Sequence, residues 1–564
     1  MSARPSPILL YFTDAYVIQR DDLKGRHAAG ASFLSAFIDQ HADPDIYALC
    51  SEKEFESFAQ AVKASKRPLT PHRADRIEPD TLRSRALVHL PYPMLPAEAV
   101  TRSFIGDQSY AISGLTHTIS SREVIASLAT YVTTPVQHWD ALVCTSQAVR
   151  DAVGAIFDAT ESELRERIGA TRFVRPMMPM IPLGIDVSRF GRNEADRKRW
   201  RDRLGVDDST IAILFFGRLS IHAKASPFPL AQAAEIVARR QKNKLAIVWA
   251  GRFIGDFQRR VFMQTAKDMA PSVAFHHVDG GDPDVETIWS AADIFCSPSD
   301  NVQESFGLTV VEAMAAELPV IASNWDGYRG SIEHGVDGIL VDTIMPKESM
   351  RDIAYRYFGR MLDYDNFVGA LSQVCVIDVN QLAHWIGKLA DDQPLRRQLG
   401  AAARCSAQQK FDWSAVMPRY FDLWREQFER LEQARRNEAP PVAAAWTKFD
   451  PAHVFAGYSS KHVSGDMLVS KGPFFSRWDN VTKIPGLFLV GAVLARKSEY
   501  ATLKEIFSQG RPLSVAHVVK RFPPGIEQRV TRSLLWLIKI GFLQLHRDPD
   551  KPTVEASTRQ PEKA

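Results

Sequence analysis

Residues 293–341 bring two carboxylates, a glycine and a helix start into one short segment. A strand-like run ends at Pro298, a polar loop follows, and a helical pattern begins near Phe306 and Gly307. The first N–H groups of such a helix have no partner one turn earlier and point outward. The helix dipole adds positive potential there, so the chemistry on offer is phosphate binding. Gly307 lacks a Cβ and would let a ligand approach the backbone. Glu304 precedes the helix, and Glu312 lies beyond its first turn. Phosphate repels carboxylates, so hydroxyl groups are the better partners for both. Taken by spacing alone, the pair also fits two solvated surface residues. Asp-Pro-Asp occurs at 43–45, 282–284 and 548–550 and has the outline of a metal-binding Asp-x-Asp. Its central proline instead marks turns and helix starts, with Asp284 expected to cap a helix Val285–Ala291. No metal site is expected.

The wider stretch SDNVQESFGLTVVEAMAAELPVIASNWDGYRG resembles the donor-binding segment of family-four glycosyltransferases of the GT-B fold, through ESFGL-x3-EAMA and the following LPVIAS. Glu317 departs from the pattern, standing where the family usually has Gly; it lies at the helix end and concerns the cap rather than the chemistry. FFGRLSIHAKAS, residues 215–226, resembles the family's strand-end G-R-L…K segment, so Gly217, Arg218 and Lys224 take its positions, one residue further apart than in the commonest form. Two cations beside a diphosphate would stabilise charge as the leaving group departs. In isolation the two would read as surface cations. The loop Lys24–Gly30, with Gly25 and Gly30, resembles the flexible loop that meets donor and acceptor, though an ordinary strand–helix loop has the same look. It is not G-x-G-x-x-G, so no dinucleotide fingerprint is present. Ser113-Gly-Leu-Thr-His117 places His117 where the family has a histidine near the donor sugar; a structural histidine is the alternative. Ile181–Asp186 resembles the family's inter-domain segment.

The resemblance covers residues 5–436, with 343–375 as an insertion outside it. It implies two Rossmann-like α/β domains facing a cleft, with the acceptor on the first (1–195) and the nucleotide-sugar donor on the second (196–436). It implies a retaining hexosyl transfer to an unidentified acceptor, in glycan or glycoconjugate biosynthesis, needing neither metal nor cofactor. Glu304, Arg218, Lys224 and His117 would be catalytic. Glu304 would hold donor-sugar hydroxyls and Glu312 the ribose, with Gly217, Phe306, Gly307, Leu308 and Thr309 along the donor. An epimerase or phosphorylase on the same fold, or a non-catalytic scaffold, is the competing reading. No lysine-anchored pyridoxal phosphate signature is evident, and Arg218, Lys224, Glu304 and Glu312 are all intact.

The elements that must position these residues follow from hydrophobic pattern. Short apolar runs at Ile8–Phe12, Ile46–Cys50, Ala86–Leu90 and Ala141–Cys144 alternate with helical patterns, and Ser146 is placed to cap the helix after the last. The pattern restarts with strands at Ile211–Phe216, Leu245–Ala250, Val273–His276, Ile294–Ser297 and Val320–Ala322. Strands alternating with helices predict parallel sheets covered on both faces. With 564 residues, several domains are expected, and 45% hydrophobic with 24% charged residues excludes a disordered chain, coiled coil or collagen-like fibre.

A linker is expected at 437–446, followed by a basic accessory domain, 447–564. Its helices at Tyr500–Phe507, Ser514–Phe522 and Ile526–Ile540 and strand at Phe542–His546 suggest a small, mainly helical, winged-helix-like module. The net charge of +3 divides into −5 for residues 1–440 and +8 for residues 441–564. The basic part is where a protein or acidic partner is expected; Arg529 and Arg532 would be the DNA-reading positions, with a solvated face or packing on the core preferred to nucleic acid. Five scattered cysteines without C-x-x-C give neither a disulfide framework nor a zinc site. Asp14 cuts the first apolar run too early for a signal peptide, and Ile484–Ala495 is too short to span a bilayer. A cytoplasmic protein is expected, with attachment to the inner membrane surface left open.

Overall fold

The computed structural model describes residues 6–17, 25–76, 79–224, 226–240, 243–347, 349–438, 449–484 and 487–546. The expected linker falls almost wholly outside them. The chain divides into two units, residues 1–448 and 449–564.

In the first unit each run of alternating elements builds its own six-stranded sheet. β1 (Ile8–Leu10), β2 (Asp45–Leu49), β3 (Thr70–Ala74), β4 (Leu87–Leu90), β5 (Ala111–Leu115) and β6 (Ala141–Val143) are ordered β3-β2-β1-β4-β5-β6. β7 (Thr210–Phe216), β8 (Lys244–Ala250), β9 (Ala274–Val278), β10 (Ile294–Ser297), β11 (Val320–Ser323) and β12 (Ile339–Val341) are ordered β12-β11-β10-β7-β8-β9. Every pairing in both is parallel. Read from the opposite edge, the second order repeats the first. The central strand β7, TIAILFF, is buried nearly throughout, as helices on both faces require. The apolar runs predict four strands in the first sheet and five in the second. β3, β5 and β12 are the additions, and β3 lacked a signal because its sequence TPHRA is a half-exposed edge.

In such sheets ligands bind beyond the carboxyl ends of the strands, where the strand order reverses. In the second sheet that point lies between β7 and β10, which pair directly. The helix Trp413–Asn437 follows the second sheet in sequence but packs on the first. Trp424 Nε1 donates to Ser113 Oγ at 3.1 Å, and Gln427 Nε2 donates to the carbonyls of Ile112 and Trp139. The two chain crossings between the lobes run side by side, with Ile185 N–H bonded to the Phe411 carbonyl and Trp413 N–H to the Ile185 carbonyl.

Residues 343–375 form a closed excursion. β13 (Thr343–Ile344) pairs antiparallel with β14 (Val376–Ile377), and helices Arg351–Phe358 and Tyr364–Ser372 lie between them.

In the second unit β15 (Leu468–Lys471), β16 (Leu513–Ser514) and β17 (Leu543–His546) form an antiparallel sheet in the order β16-β15-β17. Helices Lys497–Ser508, Val515–Val519 and Glu527–Lys539 share a core with it built on Val469, Leu503, Val518, Leu534 and Leu537. Arg529 pairs with Glu499 at 2.7 Å, and Arg532 Nε donates to the Val493 carbonyl.

Candidate donor site

The loops leaving β7, β10 and β11 are tied to one another. Ser299 Oγ donates to the Lys224 carbonyl at 2.8 Å, Ser323 Oγ to the Ser299 carbonyl at 2.6 Å, and Trp325 Nε1 to the Asn301 carbonyl at 3.0 Å. Asn301 Nδ2 donates to the His222 carbonyl. These bonds fix the backbone from which Lys224 and Glu304 project.

Lys224 Nζ forms an ion pair with Glu304 Oε2, and both side chains are largely buried. Tyr328 donates to the same Glu304 oxygen at 3.2 Å and lies 2.9 Å from Ser297 Oγ. Burial and the Glu304 charge push the Tyr328 hydroxyl well above its ordinary range, so it stays a donor. Lys224 also lies over Gly217, where a Cβ would stand 3.1 Å from its Cε. Arg218 is half-buried and makes no hydrogen bond or ion pair among the described residues.

The helix Leu308–Ala315 begins here, with Gly307 at its N-cap in the left-handed region (φ +91°). A Cβ there would lie 2.0 Å from the Tyr328 ring, so the glycine makes room for Tyr328 rather than for a ligand. Phe306 is likewise turned into the core, edge-on to Phe411 at 5.8 Å, leaving only its backbone for a donor. Leu308 is half-buried against the same core. Thr309 Oγ1 is buried with no hydrogen-bond partner, an orphaned polar atom at the helix start that suits an incoming ligand. Glu312 is half-buried, and loss of water pushes its carboxyl up to about 7, against the pull of Lys224 and Arg189. Glu317 takes a left-handed conformation at φ +60° just past the helix, the conformation for which glycine is the usual choice.

The first lobe shows two further departures. Gly25 opens the helix Gly25–Gln40 and Gly30 lies inside it, so the expected loop does not extend to Gly30; Lys24 lies outside the described residues. A Cβ on Gly30 would be 1.9 Å from the Ala15 carbonyl oxygen, so this glycine serves close packing of two helices. Gly30 and half-buried His117 line one cavity of the first lobe with His89, Pro91, Leu183 and Tyr420. Ser146 caps its helix as expected, accepting from Val149 N–H. Asp284 makes no side-chain cap, and Val285–Ala291 is a 3₁₀ segment. Among the described residues no cluster of metal-binding side chains occurs.

One further carboxylate lies near Glu304, outside the sequence motifs. Asp326, in the loop after β11, has a left-handed backbone at φ +42° and a carboxyl oxygen without a partner. Burial, then the nearby Glu304 charge, pushes its carboxyl up to about 8, opposed by the Gly327 N–H and by Ser146 of the first lobe. The Asn-Trp-Asp-Gly turn was its only local signal.

Residues 196–355 match the family model described as Glycosyl transferases group 1. The match is confined to that segment. The segment carries β7, β10, the helix Leu308–Ala315 and the candidate donor residues of the second lobe. Relatives include the D-inositol 3-phosphate glycosyltransferases of Thermobispora bispora (26% identical over 51% of this chain and 59% of the relative), Corynebacterium jeikeium (28%, over 50% and 60%) and Rhodococcus jostii (32%, over 29% and 36%). The chain thus spans about a third to three fifths of the length of these relatives. Among solved structures, the Anabaena protein HepE in complex with UDP and glucose is similar over 74% of this chain and 98% of its own, at 15% identity and a TM-score of 0.46.

Proposed function

We propose that the protein is a retaining glycosyltransferase that moves a sugar from a nucleotide-sugar donor to a hydroxyl acceptor. The observation that carries this is the convergence of Arg218, the Lys224–Glu304 pair and the start of the helix Leu308–Ala315 at the β7/β10 crossover. Glu304 neutralises Lys224. A donor diphosphate would take over that role, and Glu304, released from the lysine, would accept from hydroxyls of the donor sugar. Arg218, with no internal partner among the described residues, and Lys224 would then stabilise charge on the departing diphosphate. The sugar–phosphate C–O bond breaks, the acceptor oxygen bonds to the same carbon from the same face, and its proton passes to a donor phosphate oxygen. Glu312 would hold the ribose, and His117 would face the donor sugar from the first lobe.

No divalent metal is invoked, because two cations and a helix N-terminus supply the positive charge; activity should therefore persist in excess EDTA. The five cysteines are unpaired, and no described helix is long and apolar enough to cross a membrane; both fit a cytoplasmic site of action. Slow hydrolysis of UDP-, GDP- and ADP-sugars would identify the donor. No binding or hydrolysis of any of them at millimolar concentration would overturn the proposal.

A further inference from the structure

The excursion at 343–375 touches both lobes. Toward the second lobe, Ser372 Oγ donates to Asp300 Oδ1 at 3.0 Å, and Asp365 lies 3.6 Å from His222 Nε2. Toward the first lobe, the Tyr364 hydroxyl lies 2.9 Å from Ser120 Oγ, and the Tyr357 hydroxyl accepts from Arg122 N–H at 2.8 Å. The Arg122 guanidinium donates to the Tyr357 carbonyl and lies over its ring at 4.6 Å. The Tyr357 ring is itself stacked on Phe367 at 4.0 Å. Each anchor adjoins a candidate catalytic residue. Ser120 and Arg122 follow His117, His222 precedes Lys224, and Asp300 precedes Glu304.

We infer that this excursion is a clasp that sets the register of the two halves of the site, with Tyr357 and Tyr364 as positioning residues for sugar transfer. The inference rests on the glycosyltransferase proposal for its catalytic part. The clasp itself stands on contacts alone. The Tyr357 and Tyr364 hydroxyls lie on helices outside both six-stranded sheets and reach the opposite lobe. They hold the segment after His117 at a fixed distance from the loops of Lys224 and Glu304.

The test uses the full chain and the variants Tyr357→Phe, Tyr364→Phe and the double variant, which keep the rings and their stacking. Arg122 is the first residue of its helix, where an N–H has no intrahelical partner. Its protection from hydrogen exchange therefore reports the Tyr357 hydroxyl. Exchange at Arg122 should accelerate at least several-fold in Tyr357→Phe. Donor hydrolysis by the double variant should show kcat lowered about ten-fold, the loss expected from one or two crossing hydrogen bonds, with donor KM changed less and the melting temperature held. Unchanged exchange at Arg122 overturns the clasp. Faster exchange with unchanged kcat overturns the positioning role, as does a fall in kcat that merely tracks a fall in melting temperature. A wild-type protein that binds no nucleotide sugar overturns the proposed function instead, and the exchange measurement still decides whether the clasp exists.

Discussion

Replacing Asp300 with Asn should make the protein more tolerant of alkaline pH. Asp300 is 3% exposed and accepts from Ser372 Oγ. Burial pushes its carboxyl up to about 7, against the hydrogen bonds it receives. The same group in the unfolded chain ionises in the ordinary carboxylate range. A displacement of that size is worth about 4 kcal/mol between the two protonation states. The folded state holds the proton more tightly, so the stabilisation is complete below the ordinary carboxylate range and is lost as pH rises through about 7. Between pH 5 and pH 8 the loss is about 3 kcal/mol. Asn cannot ionise, and its amide can keep a hydrogen bond to Ser372. Glu312 and Asp326 are displaced in the same direction, but both proteins retain them, so their effect cancels in the comparison. Thermal melts of wild type and Asp300→Asn at pH 5 and pH 8 should show the variant gaining several degrees on wild type across that interval. An identical difference at both pH values would show that Asp300 is hydrated, and the reasoning from burial would fail.

Arg218→Ala should lower donor turnover by roughly 10²–10³-fold, the cost of losing one preorganised charge-stabilising contact; steady-state hydrolysis rates check this, and an unchanged rate removes Arg218 from the site. Gly307→Ala places a Cβ 2.0 Å from Tyr328 in a left-handed backbone, so destabilisation of about 2–3 kcal/mol is expected by denaturant titration. Glu317→Gly relieves a left-handed conformation at φ +60° and should stabilise by about 1 kcal/mol, read as a rise in the denaturation midpoint. Truncation after Lys448 removes a unit with its own core and should leave donor hydrolysis intact; its loss in a folded truncated protein would place the basic unit in the catalytic machinery.

The candidate donor residues could be picked out as a group because they are neighbours in sequence. Glu304, Gly307 and Glu312 lie within one loop and one helix, and Arg218 and Lys224 within another loop. What was hidden depends on contacts distant in sequence. Gly307 and Gly30 read as sites of ligand approach until Tyr328 and Ala15 are found where their Cβ atoms would be. Asp326 sits in a loop whose polar composition gave no hint of burial, because that burial comes from chain packed around it. The edge strand β3 carries proline, histidine and arginine, since one side of an edge faces water, and apolar patterning passes over it. The clasp was visible only as extra length; its tyrosines acquire meaning from Ser120 and Arg122, more than 200 residues earlier.

The return of the helix Trp413–Asn437 to the first sheet has a consequence for synthesis on the ribosome. That sheet's last strand, β6, ends at Val143, while Trp424, which covers its apolar face and bonds to Ser113, is made about 280 residues later. At about 5–20 residues per second the interval is about 15–60 s. Throughout it, Phe33, Phe37 and His89 lack the cover that Trp424 and Tyr420 provide in the finished protein. The first lobe must therefore wait half-clothed for the end of the second. A stop codon between β6 and that helix would leave a fragment with a sticky sheet face and a need for chaperones, even though all six of its strands were already in place.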